Sequence, residues 1–314
     1  MLNHSGDLSV RFPLSLLKYM KSKRYEIGQI GLEYELDALS ILEDEYTKNF
    51  QVEDFKKAQK IVRYQFTLSD FADKKQKPYT QGNGTFLRYH KGTSDEMIYH
   101  WVKLRYALAY DTADLKKIVN QQMITVPCRI HPLLAAQRPR MNMIRFMDYL
   151  GMHAIFLRND HLLLHASYII YKDQAILFTA PSQTGKSTQA ELWKYYEGAS
   201  IINGDRALIA KEEGSGWYAY GYPECGSSGI TQNVSAPIRA IVVLEQAAQN
   251  QIEDMKAGQQ LQALVSATKL WTWSMDQIDQ AIETAGRVIQ DLPVIKLKCR
   301  PDKDAVEILR AYLY

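Results

Sequence analysis

The sequence predicts an α+β fold in which many short strands surround one phosphate-binding helix. Three observations predict it. The stretch Ala180-Pro181-Ser182-Gln183-Thr184-Gly185-Lys186-Ser187 is written as a P-loop, with an apolar segment before it and helix formers after it. The apolar segment at 174–179 follows another apolar run at 162–171 across Lys172-Asp173, so the pair reads as a hairpin and not as a parallel βαβ unit. Short strand-like segments at 199–209 (two, either side of a polar break), 217–221, 238–244 and 294–299 then follow, with helical patterns at 258–290 and 304–313.

Residues 1–130 read as a β-rich N-terminal module and 131–314 as the nucleotide-binding domain. In the module, 14–19 reads as a short helix, and 44–60, dense in charge, as exposed helix or loop. Alternation of apolar and polar residues begins at Gly31 and recurs at 61–68, the period-2 signature of a half-buried strand. A loop is expected at 73–84, around Pro78 and Gly82-Asn83-Gly84. Segments 85–90 and 97–102, separated by Lys91-Gly92-Thr93-Ser94-Asp95, form a hairpin that could set His90 opposite His100, an arrangement usual for packing. A strand at 104–110 and a helix at 112–120 complete a module expected to be antiparallel. From 131 to 157 the pattern is helical, with a break at Gly151; its Met and Leu stripe marks core.

Composition sets the class. The chain has 314 residues, 46% apolar and 23% charged, with a formal net charge of +3. This is an ordinary globular balance, too weakly basic to argue for nucleic acid or a membrane surface. Cys128, Cys225 and Cys299 are odd in number, far apart and without metal-ligand spacing. They argue for a reducing compartment and against a disulfide framework. No basic-then-apolar leader opens the chain and no apolar run reaches spanning length; the expected location is the cytoplasm.

The chemistry of the motif follows from its residue types. Backbone amides of the loop, with the helix N-terminus, favour a phosphate; Ser182, Gln183, Thr184, Gly185, Lys186, Ser187 and Thr188 are the expected nucleotide contacts. Lys186 would reach the β- and γ-phosphates, and the Ser187 hydroxyl would bind Mg²⁺. Ala180 stands where glycine is usual, and alanine resists positive φ. A P-loop reads phosphates and not the base, so ATP and GTP are not distinguished.

His165 in the upstream strand, the loop 180–187, and a strand ending in Asn203-Gly204-Asp205 together resemble the HPr kinase/phosphorylase family, whose fold is shared with the nucleotide-binding part of phosphoenolpyruvate carboxykinases. Thr184-Gly185-Lys186-Ser187-Thr188 and Leu164-His165-Ala166-Ser167 are similar to HPr-kinase-like proteins encoded near peptide-modification genes. The resemblance covers roughly 160–300 and implies an HPr kinase/PEP carboxykinase-like P-loop core using ATP and Mg²⁺. It implies that Asp205 is a second metal ligand or the base facing the acceptor hydroxyl. It implies too that His165 sits beside the γ-phosphate or orients the acidic group. Read as residues alone, Asp205 is equally a turn former and His165 a hydrogen-bonded core histidine.

Two departures shape the expectation. The family's acidic pair is a single Asp here, flanked by Gly204 and Arg206, and no Pro- and Gly-containing basic segment linked to phosphorolysis appears in 245–300, where Pro293 is the one proline. The loop Tyr222-Pro223-Glu224-Cys225-Gly226-Ser227-Ser228-Gly229 is the candidate acceptor contact, at Cys225, Gly226, Ser227 and Ser228. Cys225 reads equally as a bystander thiol. Arg239 is a candidate phosphate clamp or a structural ion pair. The expected activity is a kinase without phosphorylase activity, acting on a serine-type hydroxyl of a small protein, peptide or metabolite. The alternatives are a nucleotide-binding switch protein and a simple NTPase. The family tends to assemble, which adds a homo-oligomer to the expected partners.

Overall fold

The computed structural model describes residues 22–35, 45–68, 79–80, 86–91, 94–101, 104–130, 143–272 and 274–314. The expectations for 14–19, for 131–142 and for 73–84 other than 79–80 fall outside them. Helices and sheets combine as α+β, built on two sheets.

The first sheet runs β3-β1-β2-β4-β9-β8-β7-β6-β5. Its strands are β1 (Ser22–Ile27), β2 (Ile30–Glu35), β3 (Gln51–Val52), β4 (Lys60–Leu68), β5 (Tyr79–Thr80), β6 (Phe86–Lys91), β7 (Ser94–Trp101), β8 (Leu104–Asp111) and β9 (Met123–Ile130). Alternation does the work the sequence predicts. Ile124, Val126, Cys128 and Ile130 of β9 are buried while their neighbours face outward, and Val62, Tyr64 and Phe66 of β4 do the same. The buried face packs on two short helices, Met143–Tyr149 and Met152–Arg158, through Phe146, Met147, Met152 and Ile155. The Tyr64 hydroxyl donates to the Leu150 carbonyl at 3.0 Å and its ring stacks on Tyr34. The same apolar cluster reaches Leu163, Leu208, Tyr220 and Tyr222 of the second half of the chain.

This sheet is mixed, not antiparallel as expected. β2 pairs with β4 in parallel (Ile30↔Lys60), and β4 with β9 in parallel (Ile61↔Met123). Period-2 alternation is the same in either direction, so it cannot report orientation. The β6–β7 hairpin is present, but its register sets His90 opposite Asp95, away from His100. Of the charged stretch 44–60, residues 45–48 form one helical turn and Gln51–Val52 pairs with β1.

The second sheet contains β10 (Leu162–Tyr171), β11 (Gln174–Thr179), β12 (Ser200–Asn203), β13 (Arg206–Glu212), β14 (Gly216–Tyr220), β15 (Ser235–Gln246), β16 (Gln251–Asp254) and β17 (Val294–Cys299). β10 and β11 form the expected hairpin, Tyr171↔Gln174 through Ala166↔Thr179. β11 also pairs in parallel with β15, Ala175↔Ile238 through Thr179↔Val243. The pairings β11–β10–β13–β14–β15–β11 therefore close on themselves.

Both faces of this sheet are covered, which is why its strands read as continuous apolar runs. Ala175 and Leu177 of β11 face a cluster with Leu264, Ala281, Ala285 and Val288, from the helices Ala257–Ala267 and Met275–Asp291. Ile176 and Phe178 face the other way, onto Ala190 and Trp193 of the helix Lys186–Glu197 and Val306 and Leu309 of the helix Lys303–Leu313. Each large side chain so buried contributes about 1.5–3 kcal/mol. Among the described residues, no helix is long and apolar enough to cross a membrane.

Candidate functional site

The loop that begins at Ala180 leaves the C-terminal end of β11 and ends at Gly185, the N-cap of the helix Lys186–Glu197. Gly185 has φ 109°, where a side chain would be strained. Ala180 is absent from the positive-φ residues, whereas Gln183 has φ 65°. The alanine thus meets no conformational conflict, and the left-handed positions of this loop fall at Gln183 and Gly185. Lys186 is buried, and its ammonium donates to the carbonyls of Ala180 (3.1 Å) and Pro181 (3.3 Å). Burial pulls the Lys186 pKa below its ordinary value, with the Asp205 carboxylate pulling it back up. The Ser187 hydroxyl lies 3.4 Å from the Gly204 carbonyl, beside Asp205 in the chain.

Strand pairing brings His165 to Asp205. β10 pairs with β12 up to Tyr168↔Asn203 and with β13 from His165↔Arg206, so the Gly204-Asp205 break lies beside the middle of β10. His165 Nε2 is 3.0 Å from Asp205 Oδ1. A carboxylate only accepts, so the facing imidazole nitrogen carries the proton. Burial, then the nearby Lys186 ammonium, lowers the His165 pKa below its ordinary value, against the pull of Asp205. The Thr179 hydroxyl donates to the His165 carbonyl at 3.1 Å, which ties this strand to the base of the loop.

Asn203 builds the turn. It is fully buried, and its side-chain oxygen accepts from the amides of Asp205 and Arg206, both at 2.8 Å. Its side-chain nitrogen donates to the carbonyls of Tyr222 (2.6 Å) and Glu224 (3.0 Å). One amide therefore fixes both the Asp205 turn and the 222–229 loop. That loop does come to Asp205. A Cβ on Gly226 would stand 2.9 Å from the Asp205 Cβ and Cγ, and one on Gly204 would stand 2.2 Å from the Ser228 hydroxyl oxygen. Ser227 is exposed, the Ser228 hydroxyl donates to the Cys225 carbonyl at 2.6 Å, and the Cys225 side chain is buried within the loop. Arg239 is not brought to the site: its guanidinium donates to the Leu313 carbonyl and lies over the Tyr314 ring, at the end of β15 away from the loop.

Sequence reasoning missed the charges behind Asp205. Arg206 forms ion pairs with Asp205 (3.4 Å) and Glu224 (3.2 Å), Glu224 with Lys269 (2.9 Å), and Lys269 with Asp148 (2.7 Å). Burial pushes the Glu224 carboxyl up, but Lys269 and Arg206 outweigh it and hold it below the usual carboxylate range. Burial wins at Asp148, whose pKa is raised despite Lys269. No local signal marks these residues, because Asp148 and Lys269 are 121 positions apart.

The donor set beside the loop is one hydroxyl and one carboxylate, Ser187 and Asp205; no cluster of three or more His, Cys, Asp or Glu that could hold a metal occurs among the described residues. So sparse a set fits Mg²⁺, which takes one or two protein ligands and completes its shell with phosphate oxygens and water.

Comparison with known proteins places the chain in a family without supplying an activity. No curated protein matches. A solved structure of the HPr(Ser) kinase/phosphatase from Coxiella burnetii is 10% identical, covers 48% of this chain and 91% of its own, and gives a TM-score of 0.27, too low to define a shared fold. The model of the SynChlorMet cassette protein ScmC matches residues 126–294. That span exceeds half of the chain and contains the loop 180–187, His165, Asp205 and the charges behind them, and on this match the chain belongs to the SynChlorMet cassette protein ScmC family.

Proposed function

We propose that the chain is an ATP-dependent kinase that transfers the γ-phosphoryl group to a serine-type hydroxyl of a small protein, peptide or metabolite, without phosphorylase activity. The observation that carries this reading is the His165–Asp205 contact next to a P-loop whose Lys186 and Ser187 face the same turn. An NTP hydrolase or a nucleotide switch needs the loop; a carboxylate oriented by an imidazole is what a hydroxyl acceptor needs in addition.

In this reading the loop and Lys186 bind the phosphates. Lys186 exchanges its contacts with the Ala180 and Pro181 carbonyls for phosphate oxygens. Asp205 accepts the proton of the acceptor hydroxyl as that oxygen bonds to the γ-phosphorus and the bond to the β–γ bridging oxygen breaks, releasing ADP. His165 donates to Oδ1 and leaves Oδ2 to face the hydroxyl, with Arg206 at its side. Mg²⁺, held by Ser187 together with the phosphates, would spread the charge on the transferring group.

The test is transfer of γ-label from ATP in a Mg²⁺ buffer to an extract containing small molecules and peptides. Label on an acceptor, lost in Lys186→Ala and in Asp205→Asn, is the expected result. Asp205→Asn should keep nucleotide affinity. Label released only to water would replace the kinase with an NTPase, and tight binding without turnover would replace it with a switch protein.

A further inference from the structure

A cleft of ≈ 500 Å³ opens beside the loop, between His165 and the helix Ala257–Ala267. Its volume lies within the range of small-molecule sites. From the P-loop itself it takes only the first two residues, Ala180 and Pro181. None of 182–188 lines it, although the nucleotide phosphates of such loops lie against the Gly-Lys-Ser end at the helix N-terminus. His165, however, does line it. The cleft therefore reaches the pair through His165, with Asp205 behind it, and lies apart from the loop residues at the helix N-terminus.

The lining specifies a chemistry. It holds no carboxylate. Its one lysine, Lys296, has its ammonium 2.8 Å from Glu245, so that charge is already balanced. The floor is apolar, from Val243, Met255 and Ala263. Two exposed polar side chains, Gln262 and Ser266, one helical turn apart, line the cleft with no protein hydrogen-bond partner among the described residues, so they can exchange water for a ligand. A cationic acceptor placed here would find no carboxylate, and an anionic one only an ammonium already paired with Glu245. An uncharged one with an apolar body would cover Val243, Met255 and Ala263 and take the place of water at Gln262 and Ser266.

We infer that this cleft is the acceptor site, and that it selects an uncharged hydroxyl group on an apolar body, recognised through Gln262 and Ser266. This deepens the kinase reading and rests on it. The same chemistry is met in a free amide-type alcohol and in a seryl side chain within a neutral peptide, and the experiment separates the two.

The probes are N-acetylserinamide and three N-acetylated, C-amidated tripeptides with serine between two valines, two aspartates or two lysines. Phosphorylation of each is measured with the full chain, with Ser266→Trp, which obstructs the cleft, and with Gln262→Glu, which charges it; nucleotide affinity is measured separately. The expected result is preference for the two uncharged probes, with the tripeptide ahead if the source is a peptide and the amide equal to it if a free alcohol suffices. Ser266→Trp should raise the KM for the preferred probe at least tenfold while nucleotide affinity stays within twofold. Gln262→Glu, the milder change, should raise the neutral-probe KM and favour the lysine-flanked probe. A tenfold loss of nucleotide affinity in Ser266→Trp would show that the cleft holds the base and overturn the inference. So would unchanged kinetics in both variants, or preference of the full chain for a charged probe. Nucleotide affinity equal in the full chain and in Lys186→Ala would instead overturn the kinase reading beneath it.

Discussion

His165 Nε2 stands 3.0 Å from Asp205 Oδ1, and the two belong to neighbouring strands 40 positions apart in the chain. The imidazole is lowered in pKa by burial, so it is neutral at pH 7 and presents a proton to the carboxylate. As pH falls the ring protonates, and the pair becomes an ion pair in which Asp205 would be a poorer base for the proposed transfer. Turnover of the full chain should therefore hold above the ordinary histidine range and decline below pH 6.5. His165→Gln keeps a donor but does not titrate; it should lower kcat by about 10–100-fold, the usual cost of disturbing the support of a functional carboxylate. It should also remove the acid decline. Steady-state kinetics from pH 5 to 8 check both, and an unchanged acid limb would assign the decline to another group.

Lys269 sits between two carboxylates, Asp148 and Glu224. Lys269→Met leaves Asp148 without its cation and Glu224 with Arg206 alone. The loss should be about 2–3 kcal/mol at pH 7, below the full cost of breaking a buried pair because Lys269 is partly exposed. The sign of the pH dependence is fixed. Asp148 already has a raised pKa from burial, so its folded state holds a proton longer than the unfolded chain and stability falls as pH rises past the unfolded value. Removing the cation widens that window. Urea unfolding should show a larger defect at pH 8 than at pH 5; a defect independent of pH would contradict the argument.

Gly204 and Ser228 are in contact too close for any side chain at 204: a Cβ there would lie 2.4 Å from the Ser228 Cβ and closer still to its hydroxyl. Gly204→Ala should cost about 1–3 kcal/mol, the range for overpacking. Because the obstacle is one side chain, Ser228→Gly in the same molecule should recover much of that loss. Thermal melts of the single and double variants measure the coupling. Simple additivity would place the strain elsewhere.

His153 and His161 are buried, and burial lowers their pKa values to about 3 and about 4. Both are neutral when folded and take up protons near pH 6.5 when unfolded. Stability is therefore complete above pH 6.5 and lost as pH falls toward 4, by roughly 1.4 kcal/mol per pH unit for each ring. Denaturant titrations at pH 7, 6 and 5 should show it, and His153→Leu should flatten the slope by about half. A flat profile in the full chain would mean these rings protonate without unfolding.

Much of the second sheet was legible because its strands are short, apolar and bounded by turns: the hairpin before the loop, the break at Gly204-Asp205 and the late strands 238–244 and 294–299 all lie where their patterns place them. Direction was not legible. The parallel partners of β4 and β11 come from distant segments, and a period-2 pattern is blind to orientation. At the site, His165, Lys186, Ser187 and Asp205 could be found because a motif and a resemblance mark them. Asn203 was in plain view but looked like part of a turn; that its amide also holds the 222–229 loop depends on contacts made only after folding. The Asp148–Lys269–Glu224–Arg206 chain had no signal at all, since charged residues are common and their pairing is a matter of tertiary geometry.

β11 is gripped on both edges, antiparallel by β10 and parallel by β15, and its backbone has no slack to give. The chain one residue beyond Thr179 has no such restraint. A boundary this abrupt divides what can be altered from what cannot. Residues of the loop can be exchanged, as the alanine at its first position illustrates, without disturbing the strand that aims it. A redesign of the proposed phosphate site should therefore begin at Ala180 and leave the strand before it alone.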